Sequence, residues 1–177
     1  MTAIQPFRPK TLLATLVVMA AAGAASAEDI AFAPFAPPAP ISAPTLQLPG
    51  LDGAPIALTA RPDKPVLLHF FATWCAPCRA ELPELARFVA ANAKRITVIG
   101  VDVGEPAMRV ARFVGPFALG FPVAVDEDRG VARALGVKVL PSTIALAPGG
   151  AVARVASGPV DWSASETDDA IRSLGAP

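Results

Sequence analysis

Cysteine, histidine and aromatic residues are all scarce in this chain of 177 residues, which has two Cys, one His and 6% aromatics. Each scarcity excludes something. Two cysteines cannot build the multi-bridge framework of a small disulfide-stapled domain. With one histidine they make three of the four ligands of a closed structural zinc site, so such a site would need carboxylate help. Neither sign of charge is in excess, since Lys+Arg and Asp+Glu both number 15. With no long basic run and so few aromatics, nothing supports a nucleic-acid partner. No internal repeat is visible. The abundant component is apolar, at 53% of residues. That suffices for one compact domain with its own core, plus extensions.

The first extension has a readable purpose. Arg8 and Lys10 precede a mostly apolar run from Thr11 to Ala22, which is short for a relaxed membrane span but fits the core of a secretory signal. Ala25-Ser26-Ala27 then supplies a small-residue cleavage site, and Glu28 and Asp29 follow. Residues 1–27 read as a signal peptide, the alternative being an uncleaved anchor that tethers the domain to the outer face of the inner membrane. Either way the domain is expected outside the cytoplasm, in the periplasm. Residues 28–45 carry Pro34, Pro37, Pro38, Pro40 and Pro44 and read as an extended Pro/Ala-rich linker without a core. The folded domain is expected over 46–177.

Within it, Leu46–Leu48 and Ile56–Leu58 read as a hairpin around a Gly50/Gly53 turn. Val66–Phe71 is a continuous apolar run, as for a buried central strand. Cys75–Ala91 has helical spacing, with Leu82, Leu85, Phe88 and Val89 on one face. Ile96–Val101 reads as a second buried strand, Pro106–Val114 as a helix and Pro122–Val125 as a short strand. Gly130–Leu135 reads as a short helix capped by Gly136. Thr143–Leu146 and Ala151–Val155 are strands joined by a Pro148-Gly149-Gly150 turn. Ser163–Leu174 reads as the last helix, with Ser163 and Glu166 in capping-box spacing. Strands alternating with helices, then a hairpin, then a helix, predict an α/β sandwich around a mixed sheet.

The two cysteines lie three positions apart in Trp74-Cys75-Ala76-Pro77-Cys78. A bridge between them closes a very short loop, and cross-link entropy grows with loop length. Its value is therefore chemical rather than structural. Attachment of c-type haem is excluded because Arg79, not His, follows the second Cys. The pair falls at the end of a buried strand and the start of a helix. There, unpaired amide N–H groups and the positive end of the helix dipole favour a thiolate at Cys75. Pro77 is tolerated in the first turn. Cys78, further into the helix, is expected to be buried and to act as the resolving thiol.

These stretches resemble the TlpA/ResA-type branch of exported thioredoxin-like proteins. The resemblance is carried by Pro65–Pro83, by Gly100–Glu105, by Phe121–Asp126 and by Gly136–Thr143, and it covers about Leu46 to Leu174. It implies a thioredoxin-like fold: a central mixed sheet flanked by helices, an N-terminal hairpin and a strand–helix insertion near 102–124. It implies catalytic roles for Cys75, Cys78 and Glu81, with Glu81 tuning the cysteines or handling protons. It implies a cis-Pro at Pro141, with Trp74, Pro77, Leu140 and Pro141 meeting the substrate. Leu140 would pair a bound peptide as an added strand. Glu105 is expected either to line the groove or to be a solvated loop residue. His69 departs from the branch, which commonly has Asn or an apolar residue there. It reads as a hydrogen-bonded core side chain, the alternative being a base near Cys78. Trp74 and Trp162 read as packing residues.

The implied activity is thiol–disulfide exchange in the reductase direction, because Ala76-Pro77 puts no charge between the cysteines. Expected partners are client-protein thiols and disulfides and a membrane electron donor. A monomer is expected, with no cofactor and no resident metal. A copper(I) metallochaperone using the same thiolates is the alternative from the binding class. It lacks support from Met- or His-rich clusters. A thiol peroxidase is disfavoured because both cysteines sit in one Cys-x-x-Cys.

Overall fold

The computed structural model describes residues 33–34, 46–58 and 63–175. The signal-peptide reading of 1–27 and most of the linker lie outside these described residues. In chain order the elements are β1 Ala33–Pro34, β2 Gln47–Pro49, β3 Pro55–Ala57, β4 Val66–Phe71, α1 Ala76–Asn92 and β5 Thr97–Val103. They continue with α2 Ala107–Val114, β6 Val123–Asp126, α3 Gly130–Ala134, β7 Ser142–Leu146, β8 Val152–Ser157 and α4 Ser165–Arg172, which ends in a 3-10 turn. The sheet order is β1-β8-β7-β4-β5-β6, with β2 and β3 as a separate hairpin. β4 pairs parallel with β5 and antiparallel with β7, so the sheet is mixed, as expected.

All six residues of β4 are buried. A strand covered on both faces reads as a continuous apolar run rather than an alternation. Leu67 on one face packs with Leu85, Phe88 and Val89 of α1 and with Trp162. Val66, Leu68 and Phe70 on the other face pack with Ile99, Val101, Leu135 and Ile144. Phe71, at the C-terminal end, joins a third cluster that contains Cys75, Cys78 and Leu82. The central strand therefore delivers the chain directly into the active-site turn.

Three terminal details differ from or sharpen the sequence reading. Gly136 caps α3 at φ +71°. Its amide bonds the Arg133 carbonyl while Val137 N–H bonds that of Ala132, the paired pattern that satisfies the last carbonyls of a helix. The capping box at Ser163 and Glu166 does not form. The helix starts at Ser165 with Ala164 as an N-cap that has no side-chain bond, and Asp161 braces the turn before it, its Oδ1 accepting from the amides of Ser163 and Ala164 and from the Ser163 hydroxyl. A carboxylate is the stronger acceptor for such orphan amides. Within the stretch read as a free linker, Ala33 and Pro34 instead pair antiparallel with Val155 and Arg154 of β8. They extend the sheet by one short edge strand.

Leu85 is fully buried between α1 and the sheet. Leu85→Ala is expected to cost about 2–5 kcal/mol through lost transfer energy and the cavity left behind. A urea midpoint shift that corresponds to less than about 1 kcal/mol would mean that the helix does not pack as described.

Candidate active site

Cys75 is the N-cap of α1, in extended backbone at φ −81° and ψ 106°. Its carbonyl accepts from Arg79 N–H at 3.1 Å, and its Sγ accepts from Cys78 N–H at 3.3 Å. One of the orphan amides of the helix thus points at the sulfur. The structure holds the pair as the Cys75–Cys78 disulfide. Cys75 is 5% exposed and Cys78 is 0%. That asymmetry makes Cys75 the sulfur within reach of another molecule and Cys78 the internal one. Pro77 occupies the first turn, where no N–H is required.

The turn that leads into the helix is tied down from the loop between β5 and α2. Glu105 accepts from Thr73 N–H at 2.6 Å and from the Thr73 hydroxyl at 2.7 Å. It is only 3% exposed, so it neither lines a groove nor sits in solvent. Burial raises this carboxyl. The bonds from Thr73, joined by Asp102 and Arg109, outweigh that and hold it below its ordinary range. Asp102 beside it is fully buried, and neither of its oxygens receives a fixed donor among the described residues. Burial first, then the neighbouring Glu105, pushes Asp102 up to about 8. It therefore keeps its own proton at neutral pH.

Glu81 lies one turn after Cys78 on the same face of α1 and is 6% exposed. Its Oε1 accepts from the indole N–H of Trp162 at 2.5 Å and from Val160 N–H at 3.4 Å, while Oε2 has no partner. Burial is the main cause that pushes Glu81 up to about 7, against the pull of those two bonds. Trp162 was read from sequence as packing alone. It does pack, against Phe88 and edge-on to His69, but its polar end also holds the carboxyl.

His69 is fully buried in β4. Its Nδ1 is hydrogen-bonded to Thr143 Oγ1 at 3.0 Å. Burial pushes it down to about 4, so it is neutral at pH 7. This is the bonded core side chain expected. Its Nε2 has no partner among the described residues.

The Leu140–Pro141 peptide bond is cis, and Leu140 packs against the cluster that contains both cysteines. Trp74 is 65% exposed. It therefore stands over the site as a surface side chain rather than packing beneath it. On the far side of Cys75, Pro77 lines a groove of about 450 Å³ together with Glu81, Glu84 and Asp161.

A buried thiol pair spanning one helical turn at the mouth of a central strand, with a cis-Pro loop packed against it, has the geometry of a thioredoxin-like thiol–disulfide oxidoreductase. Residues 41–155 match the AhpC/TSA family, so the chain belongs to that family, and it groups with the ResA-type thiol–disulfide oxidoreductases. It is 35% identical over 118 residues to thiol-disulfide oxidoreductase ResA of Geobacillus thermodenitrificans, covering 66% of this chain and 68% of that one. The corresponding protein of Bacillus subtilis is 35% identical over 117 residues, covering 66% and 65%. Among solved structures, a thioredoxin-family thiol:disulfide interchange protein of Chlorobium tepidum superposes with a TM-score of 0.64 at 26% identity. That match covers 79% of this chain and 99% of the other. A secreted Mycobacterium tuberculosis disulfide oxidoreductase, homologous to E. coli DsbE, superposes at 0.59 and 25% identity, covering 75% and 96%.

Two measurements follow from the buried carboxyls. Because Glu81 is raised above its unfolded value, its contribution to stability is fully present at acid pH and is lost as pH rises through about 7. In the oxidised protein, the stability of the wild type relative to Glu81→Gln is expected to fall by up to about 3 kcal/mol between pH 4.5 and pH 8. A difference that stays flat with pH would show that Glu81 titrates normally. Separately, Glu105→Ala frees the Thr73 amide. Hydrogen exchange at Thr73 and Trp74 is expected to accelerate by about tenfold or more, and unchanged protection would show that the tether is dispensable.

Proposed function

We propose that this chain is an exported reductase of client-protein disulfides. The supporting observation is the division of labour at the helix N-terminus. Cys75 is partly reachable and accepts an amide N–H, whereas Cys78 is enclosed. When the pair is reduced, the Cys75 thiolate attacks a client disulfide. One client sulfur leaves as a thiolate and takes up a proton, and a mixed disulfide forms. Cys78 then loses its proton and attacks Cys75, which releases the second client sulfur and leaves the Cys75–Cys78 disulfide. Two electrons pass to the client, and a membrane donor must return them.

In this reading Glu81 accepts the Cys78 proton. A carboxyl that titrates near neutrality, on the same helix face one turn away, suits that step. Leu140 and Pro141 present the strand edge on which the client segment lies, with Trp74 and Pro77 on its two sides. The uncharged Ala76-Pro77 pair favours reduction over disulfide insertion. Clients that fit are apocytochrome c thiols kept reduced for haem attachment, or copper-site cysteines of an oxidase or its chaperone. Residues 1–27, read as a signal peptide or an uncleaved anchor, support a periplasmic location.

The reduction potential of the Cys75–Cys78 couple tests the direction. We expect a value below the glutathione poise, at about −260 mV or lower. A potential near that of the strong oxidants, about −120 mV, would assign the chain to disulfide insertion instead.

A further inference from the structure

The charge of this protein is balanced overall but not around its active site. Between Trp74 and the cis-Pro loop lies a depression of about 360 Å³ floored by Val103, Val137 and Leu140. Its rim carries Arg129, Arg133 and Lys138, and no carboxylate lines it. On the other flank of the active-site turn, a second depression between Thr73 and α2 carries Arg79, Arg109 and Arg112 beside Met108 and Phe113. All six cations are exposed. Of these six, only Arg109 is ion-paired to a described residue, the buried Glu105 at 3.4 Å. Across α1, by contrast, the groove beside Pro77 is lined by Glu81, Glu84 and Asp161 and by no cation. Cys75 thus sits on a boundary between a cationic and an anionic face.

The cationic side also holds the exposed large apolar side chains of the described residues, Trp74, Met108 and Val139. Exposed apolar surface rimmed by unpaired charge of one sign marks a face suited to a partner of complementary charge. We infer that the client segment is acidic on the side that lies over Trp74: an extended stretch with carboxylates close to its reactive cysteine on one side. A backbone laid along Leu140 carries alternate side chains toward the Arg133/Lys138 rim. Carboxylates there meet guanidinium and ammonium groups, whereas lysines there are repelled. The inference rests on the oxidoreductase reading for its chemistry but not for its direction, because thiol–disulfide exchange runs both ways over the same surface.

The test uses short peptides with one cysteine, held as a mixed disulfide with the neutral thiol 2-mercaptoethanol. Two Glu or two Lys are placed on either the N-terminal or the C-terminal side of the cysteine. Reduced protein consumes each peptide disulfide and releases peptide thiol and 2-mercaptoethanol. Rates are taken relative to 2-hydroxyethyl disulfide on the same protein. For at least one placement the Glu peptide is expected to react about tenfold faster than its Lys counterpart at about 20 mM salt, with the ratio collapsing at about 0.5 M. In Arg133→Glu/Lys138→Glu the low-salt ratio is expected to fall below about threefold. Equal rates for both placements in low salt overturn the inference, as does a preference for Lys. So does a Glu preference that neither salt nor the double variant weakens. The reverse reaction, oxidised protein with dithiol peptides, separates the two readings. Loss of the reductive reaction alone removes the proposed direction, while loss of the charge preference in both directions removes the acidic client.

Discussion

One amide N–H, that of Cys78, points at the sulfur of Cys75, and much of the rest of the molecule serves to keep it there. The contact exists because a helix begins at Ala76, a short turn after the buried strand ends at Phe71, and leaves its first amides without partners. β4 fixes where the strand ends. Pro77 occupies a first-turn position that requires no donor. Glu105, reaching across from the loop after β5, fixes the turn between strand and helix by binding Thr73 twice. A thiolate at that position replaces the missing helical acceptor and meets the positive end of the dipole. The helix N-terminus therefore acts both as a structural cap and as the activating group.

Burial around that point has an electrostatic consequence. Glu81, Asp102 and His69 all lie near the cysteine cluster or at the strand ends that lead to it, and all are held toward their neutral forms by loss of water. A domain that needed only stability would fill these positions with apolar side chains. Here each is retained with at least one polar atom lacking a fixed partner. Perturbed groups that gather at a reactive pair are characteristic of proton handling. Glu81, near neutrality and on the helix face of Cys78, is the group to which the proposed reductase cycle gives that task.

Much of the fold was legible in the sequence because its signals are local. The run Val66–Phe71, the helical face Leu82–Val89 and the cap at Gly136 are each written in a few adjacent residues. The cysteine pair was legible for the same reason. What was missed depends on distant chain segments meeting. Glu105 looked like a solvated loop residue or a groove lining because its partner Thr73 lies 32 positions away. The polar role of Trp162 was hidden because Glu81 is 81 positions away. The capping box failed because the helix starts at Ser165, with Ala164 rather than Ser163 as its N-cap, and Asp161 takes the Ser163 amide. The cationic rim was invisible because its six residues come from α1, α2 and the region around α3, and the balanced total charge conceals their convergence.

The most direct test of the account is which sulfur reacts when the pair is reduced. Brief treatment of the reduced protein with a substoichiometric amount of iodoacetamide at neutral pH, followed by peptide mapping, reads this without any client. The account predicts alkylation at Cys75, with Cys78 spared until the protein is unfolded. Alkylation first at Cys78, or at both sulfurs equally, would contradict the claim that the start of α1 selects and activates the nucleophile.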